Sequence, residues 1–201
     1  MLPLIHLPDT PTLLAGRGPA LLKRLDLLEA AGLTTLTVHT DVVDAALAKR
    51  LGDRLRPDLP GVADIEAARL LFVAGLTDAE SWVLATNARA RRVPVNVEDV
   101  PDLCDLHVPA IVRRGNLVLT VSTGGGAPAL AAALRVWLAE AFGPEWAERL
   151  EEVAALRAQL RGGGAPPAEV VRGVSAYLAQ SGWGPLAAGA RCRTAAPAQG
   201  A

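Results

Sequence analysis

The stretch that decides the fold is "TLLAGRGPALLKRLDLLEAAGLTTLTVHT", residues 12–40. It opens with a short apolar run, passes through two glycines, and then repeats apolar residues at helical spacing: Leu21, Leu25 and Leu28. Pro19 in the first turn and Gly32 after the last turn are typical helix boundaries. "TTLTVHT" then predicts a second strand, so the stretch predicts a strand–helix–strand unit with a parallel, right-handed crossover.

The same alternation continues to about residue 99. "DVVDAALAKRLG" predicts a second helix, "ARLLFVAG" a buried strand, and "VPVNV" a further strand. Between those strands, "TDAESWVLATNARARR" opens with Thr77 and Glu80 at the spacing of a capping box, which predicts a helix start. Residues 54–65 are irregular, with room for one short strand. The pattern predicts an α/β fold with a Rossmann-like parallel sheet.

The rest of the chain differs in character. "AIVRRG" and "NLVLTVS" predict a hairpin that turns at Gly115-Asn116, followed by a helix with one apolar face: Leu130, Leu134, Trp137 and Ala141. The linker "RGGGAPP" lies between two further predicted helices. The first covers about residues 145–160, and the second is "AEVVRGVSAYLAQSG". We therefore expect regions at 1–100, 101–143 (a small α+β domain) and 144–184 (C-terminal helices), with a disordered tail at 185–201.

Composition sets broad limits. The chain has 201 residues, 51% of them apolar, and a formal net charge of −1, which supports a sizeable core but gives no support for a general nucleic-acid binder. No apolar run reaches the roughly 18–20 residues that span a bilayer, and the N-terminus lacks the pattern of a signal peptide. We expect a cytoplasmic protein. Cys104 and Cys192 are far apart, so neither a disulfide framework nor a structural zinc site is expected.

The first glycine turn has the form G-x-G-x-x-L. In a nucleotide-binding unit Gly16 permits the tight turn, and Gly18 lets the backbone approach a pyrophosphate that sits on the helix N-terminus. Leu21 stands where a third small residue is usual, so the motif is degraded. Arg17, between the glycines, could reach a phosphate or be solvated. An ordinary strand-to-helix turn is the alternative, although the position in the first unit favours a dinucleotide site.

About twenty residues further on come His39, Thr40 and Asp41, where a ribose-binding acid would lie. Asp41 could instead be the N-cap of the second helix.

A second polar cluster follows the last strand of the sheet. Asn96, Glu98 and Asp99 lie at its carboxyl end, where open α/β sheets bind ligands. Asp99 could accept a proton there if it is partly desolvated. The alternative is that its carboxylate caps a turn at Val100-Pro101.

Further along, Cys104, Asp105 and His107 have metal-capable side chains, but their spacing matches no standard motif, so we predict no metal site. His107 is interpreted as a hydrogen-bonded strand residue.

The segment "STGGGAPAL" joins a predicted strand to a helix whose exposed N–H groups favour anions. Arg113 and Arg114 on the preceding strand point to opposite faces, so only one of them can readily serve the same pocket. The alternative is a flexible loop capped by Ser122 or Thr123. Two anion-friendly glycine turns and an acidic segment suggest two ligands, one of them polyanionic.

These stretches resemble one known family over about residues 2–142. "LPL…LLAGRGPALLKRLDLLEAAGLTTLTV" and the long ungapped "VNVEDVPDLCDLHVPAIVRRGNLVLTVSTGGGAPALA" are similar to the precorrin-2 dehydrogenase/sirohydrochlorin ferrochelatase family, the N-terminal part of sirohaem synthases. The resemblance implies a Rossmann NAD-binding domain at 1–100, a dimerisation and tetrapyrrole-binding domain at 101–143, and a homodimer. It also implies NAD+-dependent oxidation of precorrin-2 to sirohydrochlorin, and in some members insertion of Fe2+.

The resemblance and the residue patterns above together give the expected roles of the site residues. Asp99 matches the family's acid/base aspartate. The expected coenzyme-binding residues are Gly16, Arg17, Gly18, Pro19, His39, Thr40, Asp41 and Asn96. The expected residues on the side of the eight-carboxylate tetrapyrrole are Arg113, Arg114, Ser122, Thr123, Gly124, Gly125 and His107.

Two departures from the family pattern affect the coenzyme site. Arg17 replaces the middle glycine of the turn, and "GLTDAESW" replaces the usual "ATDD…N". The sequence thus favours the dehydrogenase and leaves two alternatives. One is metal insertion, in which Asp99 deprotonates pyrrole nitrogens. The other is a tetrapyrrole carrier that has lost NAD.

Overall fold

The computed structural model describes residues 8–183, and its first unit is built on a five-stranded sheet. The strands are β1 (Thr12–Gly16), β2 (Leu36–His39), β3 (Leu55–Arg56), β4 (Leu70–Ala74) and β5 (Val95–Val97). They lie in the order β3-β2-β1-β4-β5, and every neighbouring pair is parallel. The chain therefore builds outward in both directions from β1, and the order reverses between β1 and β4. That point is where open α/β sheets bind their ligands.

Helices cover both faces of this sheet. On one face, α1 (Gly18–Ala30) and α2 (Ala45–Leu51) pack in a cluster with Leu14 of β1. On the other, α3 (Val62–Ala67) and α4 (Asp78–Ala90) pack in a cluster with Leu13. Because successive strand residues face opposite sides, the unbroken apolar run of β1 serves both clusters. The predicted Rossmann-like α/β sheet is confirmed.

Side-chain hydrogen bonds to backbone N–H groups define where α4 and α2 begin. At α4, Thr77 Oγ1 accepts a hydrogen bond from the Glu80 N–H at 3.3 Å and the Glu80 carboxylate accepts one from the Thr77 N–H at 3.0 Å, which confirms the predicted capping box. At α2 the N-cap is Asp44, whose side chain accepts from the Leu47 N–H at 2.7 Å. The alternative that Asp41 caps this helix is therefore wrong, because the helix begins three residues later than that reading requires.

The chain divides into two compact units, Met1–Val108 and Pro109–Ala201. In the second unit, β6 (Ala110–Arg114) pairs antiparallel with β7 (Leu117–Val121), as predicted. Three helices follow: α5 (Pro128–Ala141), α6 (Trp146–Gly162) and α7 (Pro167–Gln180).

A small aromatic cluster forms the interior of the second unit. Trp146 is buried, with its ring centroid 4.9 Å from that of Phe142 and 6.1 Å from that of Trp183. The apolar face of α5, in contrast, lies open: Leu130 is 53% exposed and Trp137 59%.

Within residues 8–183, no helix is long and apolar enough to cross a bilayer. The cytoplasmic location stays a prediction, and the tail expected at 185–201 lies outside the described residues.

Candidate coenzyme and substrate site

The carboxyl ends of all five parallel strands meet at one edge of the sheet, and the first glycine turn lies there. A Cβ added to Gly16 would lie 2.0 Å from the Ala74 carbonyl oxygen of β4, so only glycine allows this close strand approach. Gly18 has φ 60°, and a Cβ there would meet nothing within 4 Å. The first glycine is therefore required by packing, while the second leaves the backbone open to a ligand.

The N-terminus of α1 leaves its backbone donors available. Its N-cap is Arg17, whose side chain makes no capping hydrogen bond, and its first turn contains no acidic residue. Pro19 stands at the start of the helix, where its missing N–H removes nothing. Uncapped N–H groups and the positive end of the helix dipole suit an anion, so these residues fit the pyrophosphate of a dinucleotide.

Arg17 makes an ion-pair cluster that spans the turn. Its Nε and Nη2 donate to the two carboxylate oxygens of Asp41 at 2.6 and 2.7 Å. Its Nη1 and Nη2 donate to those of Glu80 at 2.9 and 2.8 Å. The three residues follow β1, β2 and β4 respectively, so the cluster joins three strand ends at the ligand edge of the sheet.

The cluster shifts the acidity of its members. The hydrogen bond from Arg17, assisted by Thr77, lowers the pKa of Glu80 to about 2. The same arginine lowers the pKa of Asp41, and the two carboxylates, Asp41 first, raise the pKa of Arg17. All three groups are therefore charged at neutral pH. Sequence patterns do not indicate the Arg17–Glu80 pair, because 63 residues separate the partners.

Of the three residues grouped at the end of β2, one faces solvent. His39 is 1% exposed and its Nδ1 lies 3.2 Å from the Asp58 carboxylate. Thr40 is fully buried, and its hydroxyl bonds with the backbone of Val42. Asp41 is exposed, so it is the member of this group whose side chain is accessible to a ribose.

Asp99 lies two residues after β5, at the same edge of the sheet. Its φ is 61°, which is unusual for a residue with a side chain, and it is exposed. Within residues 8–183 its carboxylate has no hydrogen-bond partner, and the turn that follows has no side-chain cap. The alternative that Asp99 caps this turn is wrong. A left-handed backbone at such a place is typical of functional sites.

Its neighbour Glu98 has a different environment, which the sequence did not indicate. The Glu98 carboxylate is 13% exposed and lies 3.6 Å from Lys23 Nζ and 4.0 Å from Arg24 Nη2. The Arg24 guanidinium in turn lies over the ring of Phe72, 5.7 Å from its centroid. Glu98 is therefore tied to α1 by two cations, while the adjacent Asp99 remains free.

Cys104 and Asp105 hold the segment after β5 against that strand by hydrogen bonds. The Cys104 thiol donates to the Val97 carbonyl at 3.1 Å. Asp105 accepts the Val95 N–H on its carboxylate at 3.2 Å and donates its own N–H to the Val95 carbonyl at 2.7 Å. The Cys-Asp pair thus binds the segment after β5 back onto the free edge of that strand.

Asn96, within β5, is buried and donates to the Leu106 carbonyl at 2.9 Å. Its Oδ1 is buried without a partner among the described residues.

His107 is exposed and lies outside any strand, and its ring makes no hydrogen bond within the described residues. The interpretation of His107 as a hydrogen-bonded strand residue is therefore wrong. The described residues also contain no cluster of three metal-capable side chains.

In the second unit the two adjacent arginines separate, as the strand alternation predicts. Arg114 donates to the carbonyls of Phe142 and Ala139, at 2.6 and 2.9 Å, and so caps the C-terminal end of α5. Arg113 has no ion pair or hydrogen bond from its side chain within residues 8–183. Arg113 is thus the member of the pair that is free to meet an anion.

The second glycine loop connects β7 to α5. Gly124 and Gly125 have φ of 63° and 83°, which only glycine adopts easily. The Ser122 hydroxyl accepts from the Gly124 N–H at 3.3 Å and the Thr123 hydroxyl from the Ala127 N–H at 3.2 Å. Ala127 is itself the N-cap of α5 and offers no side-chain bond. Ser122 and Thr123 therefore shape the loop, and neither is the N-cap of the helix.

The fold and the coenzyme turn define a class, the Rossmann-type dinucleotide-binding proteins. A family model described as "Putative NAD(P)-binding" matches residues 4–110, more than half of the chain. The chain belongs to this NAD(P)-binding family.

Curated relatives narrow the comparison. The chain is 40% identical over 133 residues to the siroheme synthase of Methylococcus capsulatus, covering 65% of this chain and 28% of that protein. It is 36% identical over 167 residues to the siroheme synthase of Pseudomonas entomophila, covering 80% and 34%. The chain thus spans about a third of the length of these relatives. The resemblance to the precorrin-2 dehydrogenase/sirohydrochlorin ferrochelatase family is confirmed.

A solved structure, SirC, precorrin-2 dehydrogenase, matches this chain with a TM-score of 0.71 over 90% of this chain and 91% of the other. The identity is 17%, so this likeness shows a shared fold.

Proposed function

We propose that this protein is an NAD-dependent precorrin-2 dehydrogenase, which oxidises precorrin-2 to sirohydrochlorin. The observation that carries the proposal is that three features suited to this reaction lie at the same edge of the parallel sheet. An uncapped helix N-terminus and an accessible acid, Asp41, lie there with Asp99, a free carboxylate on a left-handed backbone. The similarity to siroheme synthases gives this arrangement its substrate class.

The coenzyme, when bound, accepts a hydride from a ring carbon of the macrocycle. The open backbone at Gly18 and the first N–H groups of α1 bind the pyrophosphate, and Asp41 accepts a hydrogen bond from the ribose. Asp99 accepts the proton that the macrocycle loses as its new double bond forms. One hydride and one proton leave the substrate, which balances the two-electron oxidation.

Asp99 suits the role of a base because nothing among the described residues competes for it. Glu98, directly before it, is held by Lys23 and Arg24. Those cations pair with the Glu98 carboxylate, whereas the adjacent Asp99 carboxylate has no partner among the described residues. On the substrate side, Arg113 offers the carboxylates of the tetrapyrrole a cation that has no partner among the described residues.

A homodimer also belongs to the proposal. Three apolar side chains of α5, at positions one and two turns apart, lie exposed in the described chain: Leu130, Leu134 and Trp137. A large exposed apolar stripe of this kind is typical of an interaction surface. The second copy of this chain would cover it.

The test combines binding with turnover. We expect NAD+ to raise the melting temperature of the protein, and the Asp99→Asn variant to lose about 10²–10⁴-fold in kcat while its affinity for NAD+ stays unchanged. Asp102→Asn, three residues away and also exposed, is the matched control and retains full activity. Full turnover in Asp99→Asn would remove this residue from the mechanism.

The Arg17 cluster favours a second candidate, a tetrapyrrole carrier or metal-inserting protein without NAD, since Arg17 already pairs with Asp41, the acid expected to bind the ribose. In that case NAD+ neither binds nor stabilises the protein. Anaerobic addition of sirohydrochlorin and Fe2+, followed by absorbance, then separates a carrier from a chelatase.

A further inference from the structure

The cluster of Arg17, Asp41 and Glu80 has a consequence for coenzyme choice. A guanidinium carries five N–H groups. Four of them are engaged: Nε with Asp41, Nη1 with Glu80, and Nη2 with both carboxylates. Both pairs are bidentate, which is the strongest geometry for an arginine and a carboxylate. Arg17 therefore has little capacity left for a third anion.

The position of the cluster decides which part of a dinucleotide meets it. In Rossmann-type sites an acid after the second strand bonds the 2′-hydroxyl of the adenosine ribose, while a nearby arginine accommodates a 2′-phosphate. Here the acid and the arginine are both present and are bound to each other. Asp41 is thus the expected ribose ligand and also the group that holds Arg17.

Charge then favours one coenzyme. The cluster has two carboxylates and one guanidinium, a formal charge of −1, and its pKa values keep all three groups ionised at neutral pH. A carboxylate oxygen has more than one acceptor site, so Asp41 can still accept a hydrogen bond from a ribose hydroxyl. A 2′-phosphate, with a charge of about −1.5 to −2, would instead lie against that carboxylate, and the two like charges would repel each other.

We propose that Arg17 is a latent 2′-phosphate ligand which Asp41 holds out of use, so that this pair makes the site select NAD+ over NADP+. The inference rests on the proposed function, and it adds a specificity-determining residue at the position between the two glycines. Without Asp41, the Nε and Nη2 edge of Arg17 is released while Glu80 keeps the other edge in place. That edge then forms a bidentate phosphate site.

The test measures the affinities for NAD+ and NADP+ by calorimetry, without turnover. We expect the wild-type protein to bind NAD+ more than about tenfold tighter than NADP+. In Asp41→Ala, NADP+ affinity rises by about tenfold or more while NAD+ affinity falls. In the double variant Arg17→Ala with Asp41→Ala, the gain for NADP+ disappears.

Arg50→Ala is the matched control. Arg50 also pairs with two carboxylates, Asp26 and Glu29, but on α1 and α2 away from the glycine turn. Its loss leaves both affinities unchanged.

Three results would overturn the inference: a wild-type preference for NADP+, no gain of NADP+ affinity in Asp41→Ala, or a gain that persists without Arg17. If NAD+ binds as proposed but the NADP+ gain is missing, the proposed function stands and this inference fails. If neither coenzyme binds the wild type or any variant, both fail.

Discussion

The contacts of Arg17 change how the glycine turn at Gly16 and Gly18 is interpreted. Between two glycines, an arginine suggests loss of the coenzyme or a phosphate ligand. In the folded chain its side chain leaves the turn and joins two carboxylates, so the backbone donors of α1 remain uncapped. The glycine turn is thus altered in side-chain chemistry but keeps the backbone geometry that a pyrophosphate needs.

The cluster predicts a pH dependence of stability. The pKa of Glu80 is about 2 in the folded protein and 4.5 as its ordinary value. A group with a lowered folded-state pKa stabilises the protein above its unfolded pKa, and this stabilisation is lost as the pH falls through the folded value. Glu80→Gln keeps an acceptor for the Thr77 N–H but removes the ion pair.

We therefore expect the difference in free energy of unfolding between wild type and Glu80→Gln to be constant above about pH 5 and to shrink towards pH 2. Urea denaturation at a series of pH values measures it. Asp78→Asn, in the same first turn of α4 and without an ion pair in the described part of the chain, should show no such convergence. A wild-type advantage that persists unchanged at pH 2 would contradict the assignment.

At the scale of elements, the segment after β5 shows how a site is held in place. β5 has three residues and is the edge strand of the sheet, with a free side that offers unpaired backbone groups. Asp105 fills that side by pairing with both the N–H and the carbonyl of Val95, and it also accepts from Arg89 Nε at 2.9 Å. The loop that carries Asp99 is thereby anchored at both ends.

Removal of this anchor should be costly. Asp105→Ala leaves the Val95 N–H without its partner, and we expect a loss of about 1–3 kcal/mol in the free energy of unfolding. It should also weaken catalysis, because the Asp99 loop then keeps only the backbone bond of residue 105 and the Cys104 thiol as attachments to β5. Asp102→Ala, in the same loop and exposed, is the control for equilibrium denaturation. Equal stability of the two variants would show that the Asp105 carboxylate contributes nothing.

At the scale of the whole molecule, the described part of the second unit leaves apolar side chains of α5 exposed. Trp137 is 59% exposed on α5, beside Leu134 at 40%. We expect Trp137→Glu to convert a dimer into a monomer, because a buried unpaired carboxylate is expensive in an apolar interface. Sedimentation velocity measures the change.

Val171→Glu provides the matched control, because Val171 is 65% exposed on α7. It should remain dimeric. A monomeric wild-type protein, or equal dissociation of both variants, would contradict the proposed interface.

Sequence reasoning succeeded where the information is local. The alternation of strands and helices, the capping box at Thr77 and the hairpin turning at Gly115 each depend on residues within a few positions of one another. It failed for the N-cap of α2, where Asp41 and Asp44 offer the same side chain three positions apart. Both are good N-caps by residue type, and the competing ion pair with Arg17 was not visible.

The sequence by itself determined the Rossmann-like order of elements and the glycines that the first turn requires. Both depend on turn conformation and apolar periodicity, which residues close together in the chain determine. Only the tertiary structure decided which polar side chains are bound and which are free. Arg17 is bound by Asp41 and Glu80, Glu98 by Lys23 and Arg24, and Arg114 by the end of α5, while Asp99 and Arg113 have no such partners among the described residues. The physical reason is that an ion pair is a short-range contact between segments far apart in the chain, 63 residues for Arg17 and Glu80 and more for Lys23 and Glu98, and folding alone brings those segments together.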